Sequence, residues 1–169
     1  HGVKTVVLDH KQFSDRESYD AALMAAIDSH DPALVVLAGF MRILTPGFVH
    51  HYEGRLLNIH PSLLPAYKGL HTHQRAIDAG ETRHGCSVHF VTPELDGGPV
   101  IAQAHVPVLP EDTAETLAAR VQRMEHPLYA RVVGLFMGGQ LTFDRESGIV
   151  LLQGRTMQPG EIDMEMPDA

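Results

Sequence analysis

Apolar positions along the chain switch repeatedly between the strand period of two and the helical period of about 3.6, and this switching predicts alternating strands and helices. Val3-Lys4-Thr5-Val6-Val7-Leu8 reads as a strand. Ser14-Asp15-Arg16-Glu17 has the spacing of a capping box, with Ser14 at the N-cap and Glu17 three residues on. The helix it opens carries Tyr19, Leu23, Ala26 and Ile27 on one face and stops at Asp31-Pro32. Leu34-Val35-Val36-Leu37 is a continuous apolar run, the pattern of a strand buried on both faces. Thr45-Pro46 starts a short helix through Phe48, Val49 and Tyr52. Residues 55–60 form another strand, followed by the loop Pro61-Ser62-Leu63-Leu64-Pro65 and a helix that ends at Gly80.

Beyond Gly80, residues 86–91 and 100–106 read as strands joined by Thr92-Pro93-Glu94-Leu95-Asp96-Gly97-Gly98-Pro99. Asp112-Thr113-Ala114-Glu115 caps a long helix bearing Leu117, Val121, Met124 and Leu128, which Pro127 should kink or interrupt. Residues 141–143 and 149–152 suit a terminal hairpin, and a loose polar tail is expected from about residue 153. Strands alternating with helices imply βαβ units. The expected fold is therefore α/β, with a mostly parallel, Rossmann-like sheet flanked by helices. No repeat or linker divides residues 1–169, which read as a single domain.

Composition narrows the function. The 169 residues are 44% apolar and carry 13 Lys and Arg against 21 Asp and Glu, a net charge of −8. Without a basic block to neutralise phosphates, nucleic-acid binding is not expected. The longest apolar run, residues 33–41, falls well short of the roughly 20 residues of a membrane helix. A single cysteine, Cys86, excludes an internal disulfide and a CxxC motif, so a cytoplasmic location is the expectation.

Three features carry candidate chemistry. Asn58 and His60 are two apart in a strand, so their side chains share a face, and Pro61 keeps His60 extended. An amide donor beside an imidazole can hold a developing oxyanion and move a proton. An ordinary explanation stands beside that one: both side chains satisfy backbone groups of the loop. Asp96 lies in a tight Leu95-Asp96-Gly97-Gly98 turn, where glycines allow positive φ and close approach of a ligand, or simply make the turn. Its carboxylate, near a histidine, stabilises imidazolium. The 12 histidines invite a metal hypothesis, with His60, His71, His73, His84 and His89 the best candidates. No HExxH, cysteine partner or acid at ligand spacing supports it, so no metal is expected. His10, His30, His50, His51, His105 and His126 read as surface residues, and Cys86 as core rather than nucleophile.

The run Leu56-Leu57-Asn58-Ile59-His60-Pro61-Ser62-Leu63-Leu64-Pro65, followed by Glu94-Leu95-Asp96-Gly97-Gly98-Pro99, resembles the folate-dependent formyltransferases. Gly69-Leu70-His71-Thr72-His73 and Val88-His89-Phe90-Val91 are similar to the branch that acts in purine synthesis. The resemblance runs from about residue 3 to residue 139. It implies transfer of a formyl group from N10-formyltetrahydrofolate, as co-substrate, to the amine of glycinamide ribonucleotide. His60 would be the general acid, Asn58 a donor to the oxyanion, and Asp96 the carboxylate supporting the His60 imidazolium. The folate pocket would use Arg16, Met41, Arg42, Ile43, Leu44, Asn58 and the loop Thr92, Pro93, Glu94, Leu95 and Asp96. The ribonucleotide side would include Gln122, Arg123, Met124 and Glu125, with Glu125 facing the substrate amine. Read without the resemblance, residues 41–44 are core and Arg16 and Glu125 are solvated helix residues.

Family members open with a strand and a Gly/Asn/Ser-rich loop that holds the substrate phosphate. This chain starts at His1-Gly2-Val3, so an N-terminally shortened domain is the expectation. A hydrolase of the formylated folate and a non-catalytic folate-binding module are the alternatives, and monomer and homodimer both stay open.

Overall fold

A computed structural model describes residues 2–166; His1 and residues 167–169, the ends of the expected domain and of its tail, lie outside the described residues. Five strands form the main sheet in the order β1 (Val35–Leu37), β2 (Leu56–His60), β3 (Arg83–Phe90), β4 (Val100–Pro107) and β8 (Met164–Glu165). β1 and β2 are parallel, β3 is antiparallel to both of its neighbours, and β8 is parallel to β4. Four strands thus run one way and β3 runs against them, in an α/β fold of the expected class.

Helices cover both faces, and the alternation of strand side chains decides which residue meets which helix. Leu57 on β2, with Cys86, Val88 and Phe90 on β3, packs against Leu117, Val121, Met124, Leu128 and Val132 of α4 (Ala114–Met137). Leu56, its neighbour in β2, faces the other way. It joins Val35 and the Phe48 and Tyr52 side chains, with Leu23, Met24 and Ile27 of α1 (Arg16–Asp28) beside them. Phe48 belongs to α2 (Pro46–His51) and Tyr52 closes it. Each fully buried side chain of this size contributes roughly 1.5–3 kcal/mol. Two polar ties fix the helices. Asp20, 2% exposed, accepts from the Thr45 N–H at the start of α2, 2.7 Å away. The Tyr129 hydroxyl lies 2.9 and 3.0 Å from the Leu37 and Leu57 carbonyl oxygens, tying α4 to β1 and β2.

Several expectations need correction. Residues 3–8 form no strand, and Val3, Val6 and Val7 are 78%, 64% and 89% exposed. An apolar run becomes a strand only where a neighbour completes its ladder, and none of the described strands pairs with it. The N-cap of α1 is Asp15 rather than Ser14, accepting from the Ser18 N–H at 2.7 Å, so no capping box with Glu17 forms. A carboxylate at the positive end of a helix outcompetes the hydroxyl, which here donates to Asp15. The run 34–37 is not buried on both faces: Val36 is 47% exposed and belongs to neither apolar cluster. Pro127 does not interrupt α4, which continues for 24 residues. Pro127 and Arg123, whose carbonyl loses its helical N–H partner, both lie on the exposed face of the helix.

The tail from 153 is not loose. The hairpin of β5 (Leu141–Asp144) and β6 (Ile149–Leu152) gains β7 (Arg155–Thr156), and β8 then joins the main sheet. Ile162 enters the α4-side core at 5% exposed, and Asp163 accepts from the Gln103 N–H at 2.7 Å.

Candidate active site

The sheet delivers its polar residues to one end. β2 places Asn58 and His60 on the same face, and α3 (Thr72–Asp78) follows the loop that leaves β2. His89 on β3 lies directly across from Asn58. The loop from Thr92 to Pro99 returns Asp96 to the same place. The Asp96 Oδ2 lies 3.5 Å from the His60 Nδ1, with both side chains less than a tenth exposed. The same oxygen accepts the Gly69 N–H at 2.9 Å, and the His60 Nε2 is 3.0 Å from the Tyr67 carbonyl oxygen. Both ring nitrogens of His60 therefore face acceptors, an arrangement that suits the doubly protonated ring, which donates at both. The ordinary reading of Asn58 and His60, that they only satisfy loop backbone, covers the Tyr67 contact and leaves the Asp96 contact unexplained.

The turn is built differently from the expectation. Neither Gly97 nor Gly98 takes a positive φ; Asp96 does, at +47°. Gly98 is needed for space: a Cβ there would strike the Phe90 carbonyl oxygen, whereas one on Gly97 would meet only the movable end of the exposed Glu94 side chain.

Beside this group runs a shallow, half-open groove. Leu37, Phe40, Ile43, Leu44, Val49 and Val91 give it apolar walls, and Asn58, His89 and Asp96 close its polar end. Of the residues expected to hold folate, Arg42, Ile43, Leu44, Asn58, Thr92, Pro93, Glu94, Leu95 and Asp96 line it. Arg16 and Met41 do not. Both are exposed, Met41 to 75%, and it is Arg42 that sits 4.8 Å over the Tyr19 ring. A Lys68–Glu94 ion pair at 2.8 Å joins the two loops above the site.

On α4, Gln122 and Arg123 are exposed, whereas the Met124 side chain is buried in the core and can offer a ligand no more than its backbone. Glu125 is half-buried, and burial raises its carboxyl pKa against the opposing pull of His126 and His60. The expectation that it is merely solvated fails.

The other histidines separate. Within the described residues, no three or more His, Cys, Asp or Glu side chains gather as a metal group requires. His84 Nε2 lies 3.2 Å from His73 Nδ1, and burial pushes His84 down to about 4 and lowers His73 as well. His105 is half-buried rather than at the surface, 3.6 Å from Asp163. Burial pushes the Cys86 thiol up to about 12, which makes it inert as a nucleophile. Sequence reasoning missed His89 as a member of the site. The signal was present: Cys86, Val88 and Phe90 claim one face of β3, which sends His89 to the other, beside Asn58.

The formyl transferase family profile matches residues 1–133, well over half of the chain. The chain belongs to the formyl transferase family. This formyl transferase is 52% identical to the phosphoribosylglycinamide formyltransferase of Escherichia coli (strain K12) over 158 residues, 94% of this chain and 74% of that protein. Against the Haemophilus influenzae protein of the same name, identity is 43% over 155 residues, covering 92% and 72%. The solved phosphoribosylglycinamide formyltransferase from Coxiella burnetii superposes with a TM-score of 0.84 at 47% identity, covering 94% of this chain and 72% of that one.

Proposed function

We propose that this formyl transferase moves the formyl group of N10-formyltetrahydrofolate to the amine of glycinamide ribonucleotide, a step of purine synthesis. The observation that carries the reading is the meeting of Asn58, His60 and Asp96 at the polar end of the groove, in a chain about half identical to relatives named for that transfer. The apolar walls suit a flat, mostly aromatic donor, which supplies the activated formyl carbon. The exposed and half-buried residues of α4, Gln122, Arg123 and Glu125, would meet the ribonucleotide.

The chemistry then needs little from the chain. As the amine attacks the formyl carbon, the carbonyl π pair moves onto oxygen, and the Asn58 amide donates to that oxyanion. His60, protonated with Asp96 behind it, gives its proton to the departing folate nitrogen as the carbon–nitrogen bond breaks. The amine gives up a proton in the same exchange, so one acid/base group serves both ends. Glu125 would hold the amine towards the formyl carbon. No helix among the described residues is long and apolar enough to cross a membrane, and we place the enzyme in the cytoplasm.

The test is turnover with both substrates. Transfer should be measurable for the wild-type chain and should fall by about 10²- to 10⁴-fold in His60→Ala, the usual contribution of a positioned acid/base. A fully active His60→Ala chain would sink the assignment. Formate released without the amine acceptor would mark the hydrolase instead, and folate binding with no turnover the binding module.

A further inference from the structure

We propose that His89 is a positioning residue that decides which way round the Asn58 amide sits, and so keeps an N–H of Asn58 available to the oxyanion. The inference rests on the transfer reaction proposed above. It starts from the alternation along β3: Cys86, Val88 and Phe90 face the α4-side core, so His89 points to the opposite face, across from Asn58 of β2. There it is only 2% exposed.

The ring has one partner on each nitrogen. His89 Nδ1 is 2.9 Å from the carbonyl oxygen of Phe90, which can only accept, so the proton of the neutral ring sits on Nδ1. The Nε2 then carries a lone pair and can only accept. Asn58 Nδ2 lies 3.1 Å from it and donates. With the amide turned over, the Asn58 Oδ1 would face that lone pair, and the contact would be lost. The Asp96 Oδ1, 3.9 Å from Nε2, is too distant to compete. Burial lowers the His89 pKa and outweighs the Phe90 carbonyl and Asp96, which both raise it, while the charges of His60 and Lys68 act in the same direction as burial. The ring therefore stays neutral and keeps its lone pair.

Gly98 is part of the same device. The Phe90 carbonyl that receives the His89 proton is the one that a Cβ at Gly98 would strike. The second glycine after Asp96 thus leaves room for the carbonyl that sets the histidine, which in turn sets the asparagine.

Nitrogen-15 spectra of histidine-labelled enzyme read the tautomer directly, with His89→Gln supplying the assignment. The expected signal is a neutral ring protonated at Nδ1; protonation at Nε2, or a cation at neutral pH, would overturn the proposal. Kinetics give the second readout. His89→Leu removes the acceptor and should lower kcat by about 10- to 100-fold with KM for the folate nearly unchanged, a fraction of the loss of an oxyanion donor. His89→Gln offers an amide oxygen to Asn58 and should recover most of that loss. A His89→Leu kcat within about twofold of wild type, or equal damage in both variants, would overturn it as well. Circular dichroism screens both variants for folding, and the wild-type nitrogen spectrum needs neither. If the wild-type chain transfers no formyl group, the proposed reaction fails, while the tautomer still decides whether His89 orients Asn58.

Discussion

At the scale of single residues, the site turns on which contacts a carboxylate makes that an amide of the same shape cannot. Asp96 Oδ2 both accepts the Gly69 N–H and faces His60. Asp96→Asn keeps an oxygen for Gly69 and loses the charge that stabilises imidazolium. It should lower kcat by about 10²-fold or more, with a thermal midpoint close to wild type. A variant equally impaired in kcat and in midpoint would instead mean that Asp96 acts only by closing the loop. Asn58, His60 and Asp96 were legible in the chain because strand alternation and a turn suffice to aim them. What was not legible is the reason for Gly98: it lies in the Phe90 carbonyl, at the end of the strand that precedes the loop. Arg16 and Met41 failed as groove residues for a similar reason. Their neighbours' positions follow from how the loop folds against Tyr19 and Val49, which no local pattern encodes.

At the scale of elements, α3 and β3 are held together partly by a pair of histidines, and this makes their packing sensitive to acid. His84 on β3 is 1% exposed, meets His73 of α3 at 3.2 Å, and is pushed from 6.5 down to about 4 by burial. A base whose folded pKa is depressed takes up its proton first in the unfolded chain. Stability from neutral His84 is therefore complete above pH 6.5 and is lost as pH falls towards 4. His73 and His89, also lowered by burial, add to the loss in the same sense. Denaturant midpoints taken from pH 7 to pH 4 should fall through that window by an amount on the order of a few kcal/mol. His84→Gln should flatten the curve; an unchanged slope would remove His84 as its cause. Caps and apolar faces made α2, α3 and α4 readable from sequence, because a cap acts within one turn. The strand expected at residues 3–8 was not correctly readable, since its formation depends on a partner elsewhere and not on its own composition.

At the scale of the whole molecule, the last fourteen described residues show how far polarity along a chain can mislead. Residues 153–166 are mostly exposed, and that composition argues for a loose end. The segment is nevertheless anchored at three separated places. β7 pairs with β6, the Asp163 carboxylate takes the Gln103 N–H from β4, and β8 adds a parallel strand to the sheet edge. Between them Ile162 is buried in the same core as α4 and β4, and Met157, Met164 and Met166 pack partly buried against it. Ile162, Met164 and Met166 alternate with Asp163 and Glu165, a short strand pattern that the polar composition of the segment masks. If Ile162 closes the core, Ile162→Ala should cost about 2–4 kcal/mol, the range for truncating a buried branched side chain. If the segment merely lies on the surface, the cost should stay within about 0.5 kcal/mol. Urea unfolding of the two chains separates the outcomes. Because Gln103 also donates to the Leu64 carbonyl at 2.9 Å and to Ser87 at 2.8 Å, loosening the tail reaches the loop that follows His60. The same variant should therefore raise KM for the folate while leaving the tautomer of His89, whose partners are Phe90 and Asn58, as it was.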